Sequence, residues 1–483
     1  MVQTLNNLVL DVQVVKVYGD IQISVSDIVY DTRKSIPKGS LYVALRGTKV
    51  DGHDMIDTAI DNGAQAILCE EFPQKIRDHV TYVQVANTHH SIALVSEAYF
   101  DYPSKKLQLI GVTGTNGKTT VATLLYSFFR DVGEHAVLLS TVENKIDDEI
   151  FEASQTTPDP YDISRILALA VERGASYAVM EVSSHAIHQL RVSGLTFAGG
   201  LFTNITHDHL NYHETFQEYT RVKKMFFDFL SNQAFAVTNR DDSEGEWMLK
   251  NTVAKKYSYS INDEADFKGE LVSSTLEGVE MKINNAPVHV RLIGKFNAYN
   301  ILAVYGALVL LKFDETLVRE KLSQLSPPRG RIEFVKSTDG VYGVVDYAHT
   351  PDAVENVLKT LREVTKGKII TVIGCGGDRD PFKRPLMGAL AHDMSNHTIF
   401  TSDNPRSEDP QKILGDMTDI LSDDGTWEIA VDRYEAIRQA VALAQPGDVV
   451  LLAGKGHEEY QEISGVKHHF SDREQLDIIF SMV

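Results

Sequence analysis

The residues best equipped for chemistry lie in one run, Gly111-Val112-Thr113-Gly114-Thr115-Asn116-Gly117-Lys118-Thr119-Thr120. An apolar strand from Leu107 leads in, and a helical stretch follows with Val121, Leu124, Leu125 and Phe128 at i, i+3, i+4 and i+7. Glycines let backbone N–H groups wrap phosphate oxygens, and the helix N-terminus adds partial positive charge. Lys118 can reach the terminal phosphates and the Thr119 hydroxyl can hold Mg²⁺, while Gly114, Thr115, Asn116, Gly117 and Thr120 complete the cradle. The strict Walker A spacing would place its first glycine at Val112; Gly111 and Gly114 bracket that position instead. A tight strand-to-helix turn with an incidental lysine is the other reading, but the flanking strand and helix favour ATP. What the ATP is for stays open at this point: kinase, motor, switch and ligase all use such a loop.

The elements that must position this loop are those of an α/β chain. At roughly 150 residues per domain, 483 residues suggest three. Tyr102-Pro103-Ser104-Lys105-Lys106 reads as a solvated linker, and Pro327-Pro328-Arg329-Gly330 as a second break, giving expected domains 1–103, 104–329 and 330–483. In the middle domain, Tyr177 to Val182 and Ala198 to Phe202 are solid apolar runs suited to a parallel sheet covered on both faces. Between about 255 and 294 alternating runs such as Val279-Glu280-Met281-Lys282-Ile283 predict a small β-rich subregion. The last domain repeats strand and helix through Val344-Val345, Ile369 to Ile373, Thr398 to Thr401 and Val449 to Leu452. That pattern predicts a Rossmann-like unit with ligand groups at the carboxyl ends of its strands.

Charge and cysteine content narrow the class. With 47 Lys+Arg against 67 Asp+Glu the net charge is −20, which disfavours nucleic acid and anionic membranes as partners. Anionic substrates would therefore need local positive charge. The 2 cysteines, Cys69 and Cys375, can form neither a disulfide framework nor a structural zinc site and fit a reducing cytoplasm. No basic, apolar leader opens the chain, and the most apolar segment, Ile301 to Leu311, is too short to span a bilayer. A soluble cytoplasmic protein is expected.

Further motifs follow the loop in order: Thr156-Thr157-Pro158, Glu181-Val-Ser-Ser184-His185, Thr203-Asn204 through His213, Gly294-Lys-Phe-Asn297-Ala-Tyr-Asn300 and Arg329-Gly330-Arg331-Ile-Glu333. Asp346-Tyr347-Ala348-His349-Thr350-Pro351-Asp352, Gly376-Gly377-Asp378-Arg379-Asp380, Asp403-Asn404-Pro405-Arg406 and Gly454-Lys455-Gly456-His457-Glu458 complete the set. From about Asp31 to the C-terminus this ordered set resembles the Mur ligases of peptidoglycan synthesis.

The resemblance implies three roles: an N-terminal UDP-muramoyl-binding domain, a central P-loop ATP-binding domain and a C-terminal amino-acid-binding domain. It implies that ATP phosphorylates a D-glutamyl carboxylate, and that an amine of the incoming amino acid displaces phosphate. Lys118, Glu181, His209 and Lys223 are the matched catalytic positions. Thr119, Glu181, His209 and Lys223 are the matched Mg²⁺ ligands, the last as a carbamate (N6-carboxylysine) formed with CO₂. Read without the family, Glu181 is a strand-end carboxylate, His209 a capping or core histidine, and Lys223-Lys224 a solvated helix face. Val222 stands where the family usually has alanine. Asn297, Asn300, Arg331 and Asp346 match ATP contacts, and His349 shares the last motif. Thr32, Thr48, Lys49, Val50, Thr156, Thr157, Ser184 and Arg191 match the UDP-muramoyl-dipeptide site, with Thr32 replacing the usual serine.

The resemblance implies two versions of such a ligase, adding meso-diaminopimelate or L-lysine; diaminopimelate is lysine with a second carboxylate, so a selective site needs one more cation. Arg406 supplies it, and Arg379, Asp403, Asn404, Pro405, Gly454 and Glu458 match the remaining contacts. The expected substrates are therefore UDP-N-acetylmuramoyl-L-alanyl-D-glutamate and meso-2,6-diaminopimelate, with lysine a poor substitute and the enzyme a monomer. Rival readings are a lysine-adding ligase, a folylpolyglutamate-synthetase-like ligase and a non-enzymatic P-loop switch.

Overall fold

The two uninterrupted apolar runs form strands Tyr177–Glu181 and Gly199–Phe202, which pair in parallel on either side of Gln108–Thr113, the strand entering the phosphate loop. The computed structural model describes residues 2–47, 50–151, 153, 155–208 and 210–482. They form two compact units, Met1–Phe267 with Ala303–Asp314, and Lys268–Leu302 with Glu315–Val483.

The first unit holds a short pairing of Gln3–Thr4 with Ser24–Val25 and two larger sheets. The N-terminal one runs Val14–Tyr18, Thr81–Val85, Ala64–Cys69, Ser40–Val43, Ile28–Val29, antiparallel only at its first pair. Helix Thr88–Tyr99 buries Ile92, Val95 and Ala98 on one face, and helix Ile56–Asp61 buries Ile56, Ala59 and Ile60 on the other. The larger sheet has the parallel order Ala136–Leu139, Tyr177–Glu181, Gln108–Thr113, Gly199–Phe202, Phe235–Asn239, Lys255–Ser260. The order in which strands are added reverses beside Gln108–Thr113, with all of them parallel, and ligands bind such sheets at that point. The helix after the loop, Lys118–Asp131, buries Val121, Leu124, Leu125 and Phe128 completely, as its spacing predicts.

The segment read as a solvated linker is instead a packed joint. Pro103–Lys106 is a short 3-10 helix whose lysines reach water while Pro103 and Ser104 are buried. Glu97, buried in helix Thr88–Tyr99, accepts from Ser104 Oγ at 2.5 Å and from Ser164 Oγ at 3.1 Å, and Ser104 Oγ accepts from Thr196 N at 2.9 Å. One carboxylate thus ties the N-terminal sheet's helix to the joint and to helix Pro160–Glu172.

In the second unit Phe267–Thr275, Gly278–Ile283 and Ala286–Val290 form the antiparallel meander that alternation predicts. Its main sheet has the order Glu333–Lys336, Tyr342–Asp346, Val449–Ala453, Ile369–Ile373, His397–Phe400, Trp427–Ile429, parallel except at the first pair. Beneath it Arg433 and Asp472, both fully buried, pair through Nε–Oδ1 at 2.7 Å and Nη2–Oδ2 at 2.6 Å. Arg433 Nη2 also donates to the Ala453 carbonyl at 3.1 Å, fixing the end of a central strand. Arg433→Ala leaves Asp472 charged, buried and unpaired, so we expect a loss of about 3–5 kcal/mol, read as a lowered urea midpoint.

Among the described residues no helix is long and apolar enough to cross a membrane. The apolar stretch around Ile301–Leu311 lies mostly in helix Phe296–Leu310, with Ile301, Leu302, Val304 and Leu308 wholly buried in protein.

Candidate active site

The phosphate loop is shaped by two left-handed glycines and a cross-brace. Gly114 has φ +151°, and a Cβ there would lie 1.9 Å from Thr203 Oγ1, so only glycine fits. Gly117, φ +85°, precedes helix Lys118–Asp131 and offers no side-chain cap, which leaves the first helical N–H groups for a phosphate. From the neighbouring strand's exit, Asn204 accepts Thr115 N at 2.8 Å through its carbonyl and Asn116 N at 3.0 Å through Oδ1. Thr203 Oγ1 donates to the Asn116 carbonyl at 2.6 Å. Lys118 curls back, its Nζ donating to the Gly114 and Thr115 carbonyls at 3.0 and 2.9 Å.

Lys223, read by pattern as a solvated helix face, is 1% exposed in helix Phe216–Asp228. Its Nζ donates to the Gly114 carbonyl at 2.8 Å and lies 4.7 Å from the Tyr219 ring centroid. Burial, then the charge of Lys118, hold its ammonium pKa well below the ordinary lysine range. Thr220, Lys224 and Val222 are buried beside it.

Glu181 ends its strand fully buried, with no cation partner among the described residues; Thr141 N donates to Oε1 at 2.8 Å and Thr141 Oγ1 to Oε2 at 3.2 Å. Thr141 was not singled out by sequence, although a Ser-Thr pair closing the apolar run Ala136–Leu139 was a readable signal. Thr141 Oγ1 also lies 3.1 Å from Thr156 Oγ1, from which it can accept, and Thr157 Oγ1 donates to the Glu181 carbonyl at 2.8 Å. Arg191 Nη1 donates to the Thr157 carbonyl at 2.9 Å and to Gln155, with Asp159 3.7 Å from its Nε. Ser184 Oγ meets His213 Nε2 at 3.0 Å. Thr156, Thr157, Ser184 and Arg191 therefore gather around Glu181. On the N-terminal sheet's side the Tyr30 hydroxyl faces Asp159, and Thr32 follows two residues later, half-buried; Val50 is exposed. Thr48, Lys49 and His209 lie outside the described residues. Thr119 and Thr120 are buried at the helix start.

The second unit carries the other two groups. Asn300 Nδ2 donates to Asn297 Oδ1 at 2.8 Å, and Asn297 Nδ2 to the Ile293 carbonyl at 2.8 Å, so the two amides are buried and fixed together. Arg331 lies 5.2 Å from the Tyr347 ring, its Nε buried without a partner among the described residues. Asp346 accepts from Ile332 N at 2.8 Å; burial raises its pKa against the pull of Arg331. His349 and His457 flank Tyr347 at 4.5 and 4.9 Å, and burial and Arg331 hold His457 at a pKa of about 4.

At the carboxyl edge of the main sheet, Arg406 sits at φ +50°, its Nη1 donating to the Gly377 carbonyl at 2.7 Å and its Nε 3.5 Å from Glu462. Its Nη2 has no partner among the described residues. Asp403 caps Asn404 N at 2.7 Å, and a Cβ on Gly454 would meet Asp403 Oδ2 at 2.6 Å, so both loops need the residues they have. Asn404 Nδ2 donates to Glu458 Oε2 at 2.7 Å; Pro405 is buried between these groups and Arg379 is exposed on the adjoining loop, without an ion pair among the described residues. Lys455, absent from the expected contacts, joins this cluster. Among the described residues no group of three or more His, Cys, Asp or Glu side chains is arranged as a metal cluster.

A parallel-sheet P-loop protein with two further α/β folds is the class these features define. Sequence profiles extend it: the Mur ligase family catalytic domain matches residues 27–104, the Mur ligase middle domain 112–308, and the Mur ligase glutamate ligase domain 330–456. The chain is 49% identical over 483 residues, 99% of each chain, to UDP-N-acetylmuramoyl-L-alanyl-D-glutamate–2,6-diaminopimelate ligase of Bacteroides fragilis. A solved structure of a ligase of that name superposes with TM-score 0.74 at 31% identity, covering 100% of this chain and 99% of that one. The MurF ligase of Thermotoga maritima, solved in complex with ADP, shares the fold at TM-score 0.60 and 18% identity, over 94% of this chain and 97% of that one. The chain belongs to the Mur ligase family.

Proposed function

We propose that the chain joins meso-diaminopimelate to the D-glutamyl carboxylate of UDP-N-acetylmuramoyl-L-alanyl-D-glutamate, using ATP, in peptidoglycan precursor synthesis in the cytoplasm. The observation that carries this reading is that, at the carboxyl edge of the second unit's main sheet, Arg406 Nη2 and Glu458 Oε1 both lack a partner among the described residues. A cation and an anion so placed suit a zwitterionic amino-acid end bearing its own carboxylate. The 49% identity over nearly the whole of both chains to a ligase of this specificity supports it.

The chemistry follows from charge. The γ-phosphoryl group passes from ATP to the glutamyl carboxylate, giving an acyl phosphate and ADP. The amine attacks the acyl carbon, the C–O bond to phosphate breaks, and the amine loses its proton as the amide forms. Such steps need neutralised oxygens more than a covalent partner from the protein. Lys118 and the loop's N–H groups supply that around the β- and γ-phosphates, with Gly114 to Thr120 as the cradle. Asn297 and Asn300 suit the adenine edge, and Arg331 and Asp346 the phosphate and ribose. Thr48, Lys49, Thr32 and Val50 take the UDP end, and Arg191 with Thr156, Thr157 and Ser184 the dipeptide.

Glu181, buried without a cation, and the Thr119 hydroxyl are hard oxygen donors that fit Mg²⁺, with His209 and a carbamylated Lys223 as further ligands. Bound there, Mg²⁺ would withdraw charge from the phosphates. The roles fall to domains at 1–103, 104–329 and 330–483.

Inorganic phosphate release tests the reading. It should require ATP, the UDP-muramoyl-dipeptide and diaminopimelate together; turnover independent of the two acceptors would favour the switch reading.

A further inference from the structure

Glu458 is held by only one of its oxygens. Lys455 Nζ donates to Glu458 Oε2 at 3.1 Å and to Asn404 Oδ1 at 3.1 Å, and Asn404 Nδ2 closes the triangle onto Oε2 at 2.7 Å. Lys455 is 0% exposed while the Glu458 side chain is 15% exposed, and Oε1 has no partner among the described residues. The carboxylate is thus tied through Oε2, and the side chain keeps some exposure to solvent.

Its surroundings otherwise favour the neutral acid. Burial raises the Glu458 pKa most, the Asp403 carboxylate raises it further, and Lys455 and Asn404 oppose both. Tyr347 and Tyr460 also face it, and neither is a cation. Arg433 senses Glu458 from the helix below but is committed to Asp472. Among the described residues, Lys455 is the one cation in direct contact with the carboxylate.

We propose that Lys455 is a positioning residue that keeps Glu458 ionised, with Oε1 turned outward to accept an ammonium group of the incoming amino acid. The proposal rests on the ligase reading above and adds to it a lysine that touches no substrate. An uncharged Glu458 would present at best one neutral acceptor to an ammonium, a weaker bond than a charge-assisted one.

The experiment is the KM for diaminopimelate against pH, between about pH 6 and 9, with ATP and the UDP-muramoyl-dipeptide saturating. In the wild type KM should stay flat down to about pH 6. In Lys455→Met it should rise at least about tenfold toward low pH and recover as pH rises, while the KM for ATP is unmoved. The sign follows from the charge: without the lysine the carboxyl pKa climbs, so protons compete with the ammonium as pH falls. Glu458→Gln should weaken binding at every pH, and adding Lys455→Met to it should cost nothing more. Lys467→Met, which removes an exposed cation beside Tyr460, should leave the profile alone. A wild-type KM that already climbs steeply below about pH 8, or a Lys455→Met profile parallel to the wild type, overturns the proposal. If that variant folds poorly, the wild-type profile alone decides. Phosphate release that ignores the amino acid would instead fail the ligase reading itself, a result distinguishable from either.

Discussion

Lys223→Ala is expected to lower ligation by about a thousandfold, and millimolar formate or acetate should restore part of it. Lys223 is buried, burial and the charge of Lys118 push its pKa well below the ordinary lysine range, and its Nζ touches the Gly114 carbonyl of the phosphate loop. An uncharged amine is the form that adds to CO₂, giving a carbamate and one proton. The product is an anion where an ammonium would repel Lys118. A small carboxylate can enter the space left by alanine and supply the same charge. If the lysine only braced Gly114, the variant would lose activity but carboxylates would not bring it back. Steady-state rates with and without formate, on protein whose melting temperature matches wild type, separate the two.

Arg406→Ala should cut kcat/KM for diaminopimelate by about a hundredfold or more while leaving the weak reaction with lysine nearly unchanged. Arg406 is fixed by the Gly377 carbonyl and Glu462, which aims the fork and leaves Nη2 open. Against lysine, Nη2 would gain no carboxylate partner, which should weaken binding of the wrong substrate. Removing it should collapse the preference between the two amino acids. Equal loss with both would show that Arg406 holds the loop and does not read the second carboxylate.

Much of this molecule was legible before its coordinates. Apolar run length gave the parallel strands, and the i, i+3, i+4, i+7 spacing placed the buried face of helix Lys118–Asp131. The site loops were readable because α/β folds put ligand groups at strand ends, which is where Glu181, Asp346, Asp403 and Gly454 lie. Other features were not local. A Lys-Lys pair looks the same on a solvated face as in a core, and only the packing against Gly114 distinguishes Lys223. Lys455 and Asn404 are 51 residues apart in sequence, so no spacing could announce their contact. Ser104 read as linker because proline and lysines surround it, yet Glu97, seven residues earlier, makes it a joint. The net charge of −20 says nothing of local charge: Lys118 and Arg191 stand in the first unit, and Arg331, Arg379 and Arg406 in the second.

The most direct test is a competition read by the mass of the product. The protein is given ATP, the UDP-muramoyl-dipeptide and equal amounts of meso-diaminopimelate and L-lysine. The account predicts a UDP-muramoyl-tripeptide carrying diaminopimelate, one phosphate released for each molecule formed, and little lysine product. A lysine tripeptide in comparable amount, or ATP consumed with no tripeptide at all, would contradict it.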